Sequence, residues 1–128
     1  MKPKFQTHGL THLALAVKDV KRSVEFYQKV FGASIMYLKD GWAQIQTPNS
    51  KDIIVFEENK KLAGKIDGGI LHFGFRLVNA SDIDKAVETI KAAGGQIKES
   101  GEFVPGEPYV FFYDPNGYEI EIWYEKLP

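Results

Sequence analysis

Three side chains of this 128-residue chain have the chemistry of a metal site: His12, His72 and Glu121. Each falls in an apolar segment that predicts a β-strand, where an unpaired carboxylate would be costly. Two imidazoles and one carboxylate avoid that cost if they hold one divalent cation. Three protein ligands also leave positions open for water or substrate, as a catalytic metal requires. The cation would act as a Lewis acid or activate a bound oxygen.

The alternation of side chains along a strand selects the same three residues. In each strand the candidate ligand faces away from a row of large apolar side chains that could carry a helix. A single histidine or glutamate on a strand is more often structural than a ligand, but the joint placement of these three favours a shared site. The three apolar rows are Leu13, Leu15 and Val17; Phe73, Phe75 and Leu77; and Ile120, Ile122 and Tyr124.

The chain contains one pattern twice, and this repeat predicts the fold. Residues 9–58 have the pattern β-α-β-β-β, residues 59–69 form a polar linker, and residues 70–125 have the pattern β-α-β-β-β again. THLALAV and FGASI in the first half align with LHFGFRLV and AGGQI in the second, which puts His12 and His72 at matching positions. We therefore predict an α+β fold in which two βαβββ modules form mixed sheets curved into a cup, with the helices on the outside.

Local signals predict the limits of the elements. Asp19 and Gly32 are predicted to cap the first helix, while Ser81 with Asp84 resembles a capping box for the second. The second half is expected to begin with a strand over residues 70–78. Residues 101–108 (GEFVPGEP) are typical of a Gly/Pro-bounded loop that either covers the cup or simply connects two strands.

Composition excludes several classes of function. Sixteen basic and seventeen acidic side chains give a formal charge of −1, so nucleic acid and anionic membrane are not expected as partners. The lack of cysteine excludes disulfides, zinc–thiolate sites and thiol nucleophiles. Residues 1–7 lack the apolar run of a signal peptide and no segment is long enough to span a bilayer, so a soluble cytoplasmic protein is expected.

Three segments of the chain together resemble a known family. They are GLTHLALAVKDVKRSVEFYQKVFGA, LHFGF and DPNGYEIEIW, and the family is the vicinal oxygen chelate superfamily. It includes glyoxalase I, methylmalonyl-CoA epimerase, extradiol dioxygenases, fosfomycin-resistance thiol transferases and bleomycin-binding proteins. The resemblance implies a divalent metal (Zn²⁺, Ni²⁺, Mn²⁺ or Fe²⁺) held by His12, His72 and Glu121. It also implies a homodimer, because in many single-domain members the modules pair between chains.

One position departs from the pattern of glyoxalase I and the epimerases. Their fourth ligand corresponds to Ile54 or Val55, which are apolar here. Glu57 lies one pleat further on and could substitute as the catalytic carboxylate, although a solvent-facing position is the simpler interpretation. Three functions stay open: a glyoxalase-like lyase or isomerase acting on a small vicinal-oxygen substrate, an Fe(II) extradiol-type dioxygenase, and a non-catalytic drug- or metabolite-binding protein of the bleomycin-resistance type. The retained ligands favour an enzyme, and the first is the working hypothesis.

Five further side chains are candidates for binding the substrate: Arg76, Gln44, Tyr109, Tyr113 and Trp123. Arg76 shares a face with His72 and could hold a carboxylate or phosphate through two hydrogen bonds, or form an ion pair at the rim. The aromatic candidates could line the cup or pack against their neighbours, as aromatic side chains on short strands usually do.

Overall fold

Eight strands and two helices form the part of the chain that the computed structural model describes, residues 1–65 and 67–126. Neither helix of that part has the length and apolar character needed to cross a membrane. The first half contains β1 (His12–Val17), α1 (Val20–Phe31), β2 (Ser34–Lys39), β3 (Trp42–Gln46) and β4 (Ile53–Glu58). The second contains β5 (Phe73–Arg76), a 3₁₀ turn (Ala80–Asp82), α2 (Ile83–Ala92), β6 (Gln96–Val104), β7 (Glu107–Tyr113) and β8 (Glu119–Trp123).

Each half forms its own four-stranded sheet, in the orders β1-β4-β3-β2 and β5-β8-β7-β6. The pairs β1–β4 and β5–β8 are parallel and the other pairs are antiparallel, so both sheets are mixed. A parallel pair needs a long crossover connection, and in each half that crossover contains the helix. The predicted α+β fold of two βαβββ modules is therefore confirmed.

The first helix begins and ends where its capping residues predict. The Asp19 side chain accepts a hydrogen bond from the Arg22 amide at 3.1 Å, and Gly32 ends the helix in the left-handed region, at φ 68°. Val24 and Tyr27 lie on its buried face, which packs on β3 and β4. Local sequence thus fixes both where α1 stops and which side it turns to the core.

One hydrophobic core joins the two halves. The helices contact each other, and the rings of Phe31 and Phe75, one from each half, stack with their centres 4.0 Å apart. Phe26 of α1 lies 6.4 Å from Phe112 of β7, ring centre to ring centre. Removal of such rings from water is favourable by about 25 cal/mol per Å² of apolar surface, so the shared core holds the halves together as one unit.

Each sheet has a second face, turned away from this core, which we call its open face. Alternate residues such as Leu15, Ile45, Val110 and Ile122 are buried, and the residues between them form the open face. The predicted alternation is therefore confirmed. The open face of the first sheet carries His12, Ala14, Trp42, Gln44 and Glu57; that of the second carries His72, Gly74, Arg76, Tyr109, Phe111, Tyr113, Glu119, Glu121 and Trp123.

A buried polar network also ties the second half to α1. It is built on the turn at residues 114–117 (DPNG) between β7 and β8. The Tyr27 hydroxyl donates to Asp114 Oδ2 at 2.9 Å, and Asn116 Nδ2 donates to Ser23 Oγ at 3.0 Å. Asn116 Oδ1 in turn accepts from the Lys18 amide at 3.0 Å. The turn is therefore a structural junction between the halves, because its polar side chains are satisfied by the first half.

β5 is shorter than predicted. The sequence predicts a strand over residues 70–78, but pairing with β8 covers only Phe73–Arg76. Ile70 and Leu71 are each 73% exposed. They are apolar enough for a strand, yet the DPNG turn before β8 leaves them no strand to pair with. His72 consequently lies immediately before β5 rather than within it.

The loop predicted at residues 101–108 is wrong. β6 continues to Val104 and β7 begins at Glu107, so the segment is the end of a β-hairpin. Gly101 stays in the strand because the Tyr109 ring lies over it; a Cβ at Gly101 would be 3.1 Å from the Tyr109 hydroxyl oxygen. Glycine next to a cross-strand aromatic ring thus marks a strand here, although glycine alone is typical of a loop.

α2 begins without the capping box that Ser81 and Asp84 predict. The helix follows the 3₁₀ turn directly, and its N-cap residue Asp82 makes no side-chain cap hydrogen bond. Instead, the Asp82 amide donates to the Asn79 carbonyl oxygen at 3.1 Å. The tighter turn therefore supplies the backbone bonds that a capping side chain would otherwise provide.

Candidate metal site

Two of the three predicted ligands meet on the open face of the second sheet. His72 Nε2 lies 3.6 Å from Glu121 Oε1, and the two side chains are 35% and 13% exposed. Two ligands bound to one ion at about 2.1 Å, with a tetrahedral angle between them, are about 3.4 Å apart. The spacing therefore fits a shared divalent cation, and imidazole with carboxylate is a donor set that Zn²⁺, Mn²⁺ and Fe²⁺ accept.

The surroundings of Glu121 also suit a cation. Desolvation raises the pKa of its carboxyl group, and the nearby His72 offsets only part of that rise. A carboxylate held in this way is stabilised by an added positive charge, because the charge offsets the loss of hydration.

A second carboxylate, which the sequence analysis did not single out, lies on the other side of the His72 ring. Glu119 Oε2 is 3.8 Å from His72 Nδ1, and Glu119 Oε1 accepts a hydrogen bond from Lys98 Nζ at 2.7 Å. That bond raises the pKa of Lys98. Glu119 and Glu121 face different ring nitrogens, so they cannot both share one ion with His72. Strand alternation could have found Glu119, since it is two residues from Glu121 on the same face.

His12 lies apart from the other two predicted ligands. It is exposed at the start of β1, on the open face of the first sheet. Over residues 1–65 and 67–126, no group of three histidine, aspartate or glutamate side chains is arranged to hold a metal ion. A cleft of about 220 Å³ beside β1 is lined by residues that include Ala14, His72 and Glu119 but not His12. One chain thus brings together two ligands of the predicted three.

Arg76 and Trp123, two of the predicted substrate-binding residues, are cross-strand neighbours on the open face that holds His72. The guanidinium carbon of Arg76 lies 5.4 Å from the centre of the Trp123 ring, within cation–π range. Arg76 Nη2 also pairs with Glu125 at 2.7 Å, so the ion pair proposed as one of its two roles is present. Gly74 makes room for the indole, because a Cβ there would lie 2.6 Å from the Trp123 ring.

A row of aromatic rings extends from His72 along β7. Phe111 meets the His72 ring edge-on with centres 5.0 Å apart, and Tyr109 lies 5.5 Å from Phe111. Phe103 of β6 stacks on Tyr109 at 4.1 Å, while Tyr113 is at the other end of β7. Alternation along β7 could have found Phe111, which lies between the two predicted tyrosines. Phe103 carried no such signal, because it falls in the segment predicted as a loop.

The remaining candidates, Gln44 and Glu57, lie on the open face of the first sheet. Gln44 is opposite Val55 in the β3–β4 pair, and its Nε2 contacts the Met36 sulfur at 3.6 Å. Glu57 is opposite Ala16, towards the exposed end of β4. Both residues therefore share a face with His12 rather than with His72 and Glu121.

Comparison with known proteins decides the family. The model of the glyoxalase/bleomycin resistance protein/dioxygenase superfamily matches residues 9–122. The chain belongs to this superfamily. The match includes all three predicted ligands and extends from before β1 into β8. The resemblance seen in the sequence is thereby confirmed.

Several superfamily members align over nearly the whole chain. A probable lactoylglutathione lyase of Vibrio cholerae is 30% identical over 132 residues, which covers 95% of this chain and 94% of the relative. A lactoylglutathione lyase of Arabidopsis thaliana is 27% identical over 94% of this chain, but the match covers 45% of the plant protein, so this chain spans less than half of that relative.

A solved structure with the same fold is that of the fosfomycin resistance protein FosX from Listeria monocytogenes. It has a TM-score of 0.78 and 25% identity, over 95% of this chain and 97% of FosX. A variant of this FosX was solved in complex with Mn(II) and 1S,2S-dihydroxypropylphosphonic acid; it has a TM-score of 0.76 and 24% identity, over 91% of this chain and 90% of that one.

Proposed function

We propose that this protein is a metal-dependent enzyme of the glyoxalase type, a lyase or isomerase acting on a small substrate with two neighbouring oxygens. The observation that carries the proposal is the 3.6 Å separation of His72 Nε2 and Glu121 Oε1 on an open face. The lactoylglutathione lyase of V. cholerae supports the reaction class, and the manganese-bound FosX supports a divalent metal.

The third ligand in this proposal is His12 of a second copy of the chain. His12 is on the edge strand of the first sheet, and His72 and Glu121 lie beside the edge strand of the second. A homodimer in which these two open faces meet across the subunit boundary would complete the site. Gln44 and Glu57 would enter it from the same subunit as His12, since they share its face.

Bound at His12, His72 and Glu121, the metal would supply Lewis acidity towards a substrate oxygen. The proton that an isomerase moves needs a base within reach of the substrate carbon. Glu57 is the candidate in this chain: a carboxylate oxygen of Glu57 would take up that proton and return it. Because Glu57 lies on the same face as His12, it would reach the site only in the dimer.

The other open-face residues would bind and shield the substrate. Arg76 would orient an anionic group through guanidinium N–H groups while it remains paired with Glu125. The rings of Tyr109, Tyr113 and Trp123 would exclude water from one side of the site, and Gln44 would donate to a substrate oxygen from the other.

Elemental analysis of the purified protein tests the proposal. We expect about one divalent metal per chain in the wild type and its loss in both His72→Ala and Glu121→Gln, because two remaining ligands bind such ions weakly. Glu25→Gln is the matched control, since Glu25 forms only a helix-surface ion pair with Lys29 at 2.8 Å; it should keep its metal.

Activity assays then distinguish the alternative functions that this site could serve. The metal-loaded wild type should form lactoylglutathione from methylglyoxal and glutathione, or isomerise a related 2-hydroxycarbonyl compound. Oxygen uptake with catechol that requires Fe²⁺ would instead assign a dioxygenase. A wild type that takes up none of Zn²⁺, Ni²⁺, Mn²⁺ and Fe²⁺ would contradict the proposal and leave a non-catalytic binding protein.

A further inference from the structure

We propose that Glu119, held in place by Lys98, positions His72 for metal binding without being a ligand itself. This inference rests on the proposed metal site and assigns that site a positioning residue.

The His72 ring lies between two carboxylates that face its two nitrogens. Nε2 is 3.6 Å from Glu121 Oε1, and Nδ1 is 3.8 Å from Glu119 Oε2. Phe111 meets the ring edge-on, with centres 5.0 Å apart, and limits its rotation. The imidazole is thus oriented so that only Nε2 points to the predicted ligand Glu121.

This orientation has a consequence for the imidazole proton. A neutral imidazole carries one N–H donor and one unprotonated nitrogen, and only the unprotonated nitrogen can bind a metal. A carboxylate beside Nδ1 favours the tautomer with its proton on Nδ1, because an ionised carboxylate only accepts hydrogen bonds. Glu121 favours the Nε2–H tautomer by the same argument while no cation lies between Glu121 and Nε2. With a cation bound at Nε2 the ring proton would be on Nδ1, and Glu119 is the carboxylate that faces it, as is common behind metal-binding histidines.

Lys98 keeps Glu119 in this supporting role. Its ammonium group donates to Glu119 Oε1 at 2.7 Å, and the Glu119 side chain is only 13% exposed. The bond occupies one carboxylate oxygen and offsets its charge, so that Glu119 neither turns towards the ion nor adds a second full negative charge beside Glu121. β6 and β8, which are not adjacent in the sheet, are joined by this contact across β7.

Zinc affinity, measured by competition with a chromogenic chelator, is the first test. We expect Glu119→Ala to weaken zinc binding by about 10- to 100-fold, the usual effect of removing such a partner. Glu119→Gln should recover only part of that loss, because its single amide oxygen can face either Lys98 or Nδ1–H but not both. Glu25→Ala removes the same charge from a surface ion pair and should bind zinc like the wild type.

The tautomer of His72 is the second test, read from its side-chain ¹⁵N shifts in the metal-free protein at a pH where the ring is neutral. The wild type should populate both tautomers, because a carboxylate faces each ring nitrogen. Glu119→Ala should shift the population towards the Nε2–H form, and Lys98→Met should shift it in the same direction but less. Thermal unfolding of each variant shows that it is folded when measured.

Each outcome decides between positioning and its alternatives. Unchanged zinc affinity and tautomer in Glu119→Ala would overturn the inference while the metal site stands. A loss in Glu119→Gln as large as in Glu121→Gln would overturn it in favour of direct ligation. If the wild type binds no zinc, the proposed function fails; the tautomer of the metal-free protein then still decides whether Glu119 orients His72.

Discussion

Asp114 is the buried acid whose protonation bears most directly on folding. Desolvation raises its pKa, and the hydrogen bonds from Tyr27, Tyr118 and Asn116 offset only part of that rise. A group whose pKa is higher in the folded than in the unfolded chain stabilises the fold most below its unfolded pKa. That contribution is lost as the pH rises through the folded pKa.

We therefore expect the wild type to gain stability relative to Asp114→Asn as the pH is lowered from neutral towards about 4, by at most about 1.4 kcal/mol per pH unit. Urea unfolding of both proteins across this range measures the difference. Asp84→Asn, a change at an exposed position on α2, is the control, and its free energy of unfolding should change with pH as that of the wild type does. A free energy of unfolding of Asp114→Asn that changes with pH as that of the wild type does would contradict the prediction.

The sequence could predict two residues that lie together in the candidate site but not every neighbour of theirs. His72 and Glu121 follow from strand alternation, and the structure brings them together. Glu119 shares the face of Glu121 and follows from the same alternation, but a charged residue on an open face is usually solvent-exposed, and its contact with His72 is visible only in the structure. Lys98 could not be predicted at all, because its contact with Glu119 spans a strand that lies between them.

The turn that follows β4 packs closely on the DPNG turn. Gly64 has φ 73°, and a Cβ at this position would overlap the backbone carbonyl oxygen of Asn116. Gly94, after α2, has φ 94° with no atom near its Cβ position. The two glycines therefore share left-handed backbone geometry and differ in steric surroundings.

Replacement of each glycine by alanine separates these two effects. Gly94→Ala should cost only the left-handed backbone penalty, about 1–2 kcal/mol. Gly64→Ala should cost about 1–3 kcal/mol more, because the two turns must move apart. Urea unfolding midpoints give the comparison, and equal losses in the two variants would show that the turns do not support each other.

The limits of some elements follow from neighbouring residues, and the limits of others depend on distant partners. α1 carries its own caps in Asp19 and Gly32, so its limits follow from neighbouring residues. The end of β5 and the β6–β7 hairpin depend on partners elsewhere in the chain. Ile70 and Leu71 lack such a partner, and Gly101 gains one through Tyr109; neither fact is visible in the local sequence.

A subunit-mixing experiment tests the proposed shared site at the level of the whole molecule. Neither His12→Ala nor Glu121→Gln should hold metal alone. A mixed dimer would contain one intact site, formed by His12 of the second variant with His72 and Glu121 of the first. Random exchange should therefore restore about a quarter of the wild-type metal content.

The matched control mixes His72→Ala with Glu121→Gln. Both changes fall in the half of the site that one chain provides, so no mixed dimer has an intact site and no metal should return. Failure of the first mixture despite subunit exchange would place all three ligands within a single chain. Recovery in the control would mean that His72 and Glu121 reach one site from different chains.

The four sheet edges are not equivalent. The outer strands β2 and β6 carry register shifts, at Ile35/Tyr37 in β2 and at Ile97/Glu99 and Glu102/Val104 in β6, whereas the registers of β1 and β5 are continuous. An irregular strand is a poor template for a further strand, so the edges at β2 and β6 resist the addition of strands from other molecules. If the regular edges β1 and β5 are covered within the proposed dimer, no regular edge stays free, and long storage at high concentration should produce few polymers of stacked sheets.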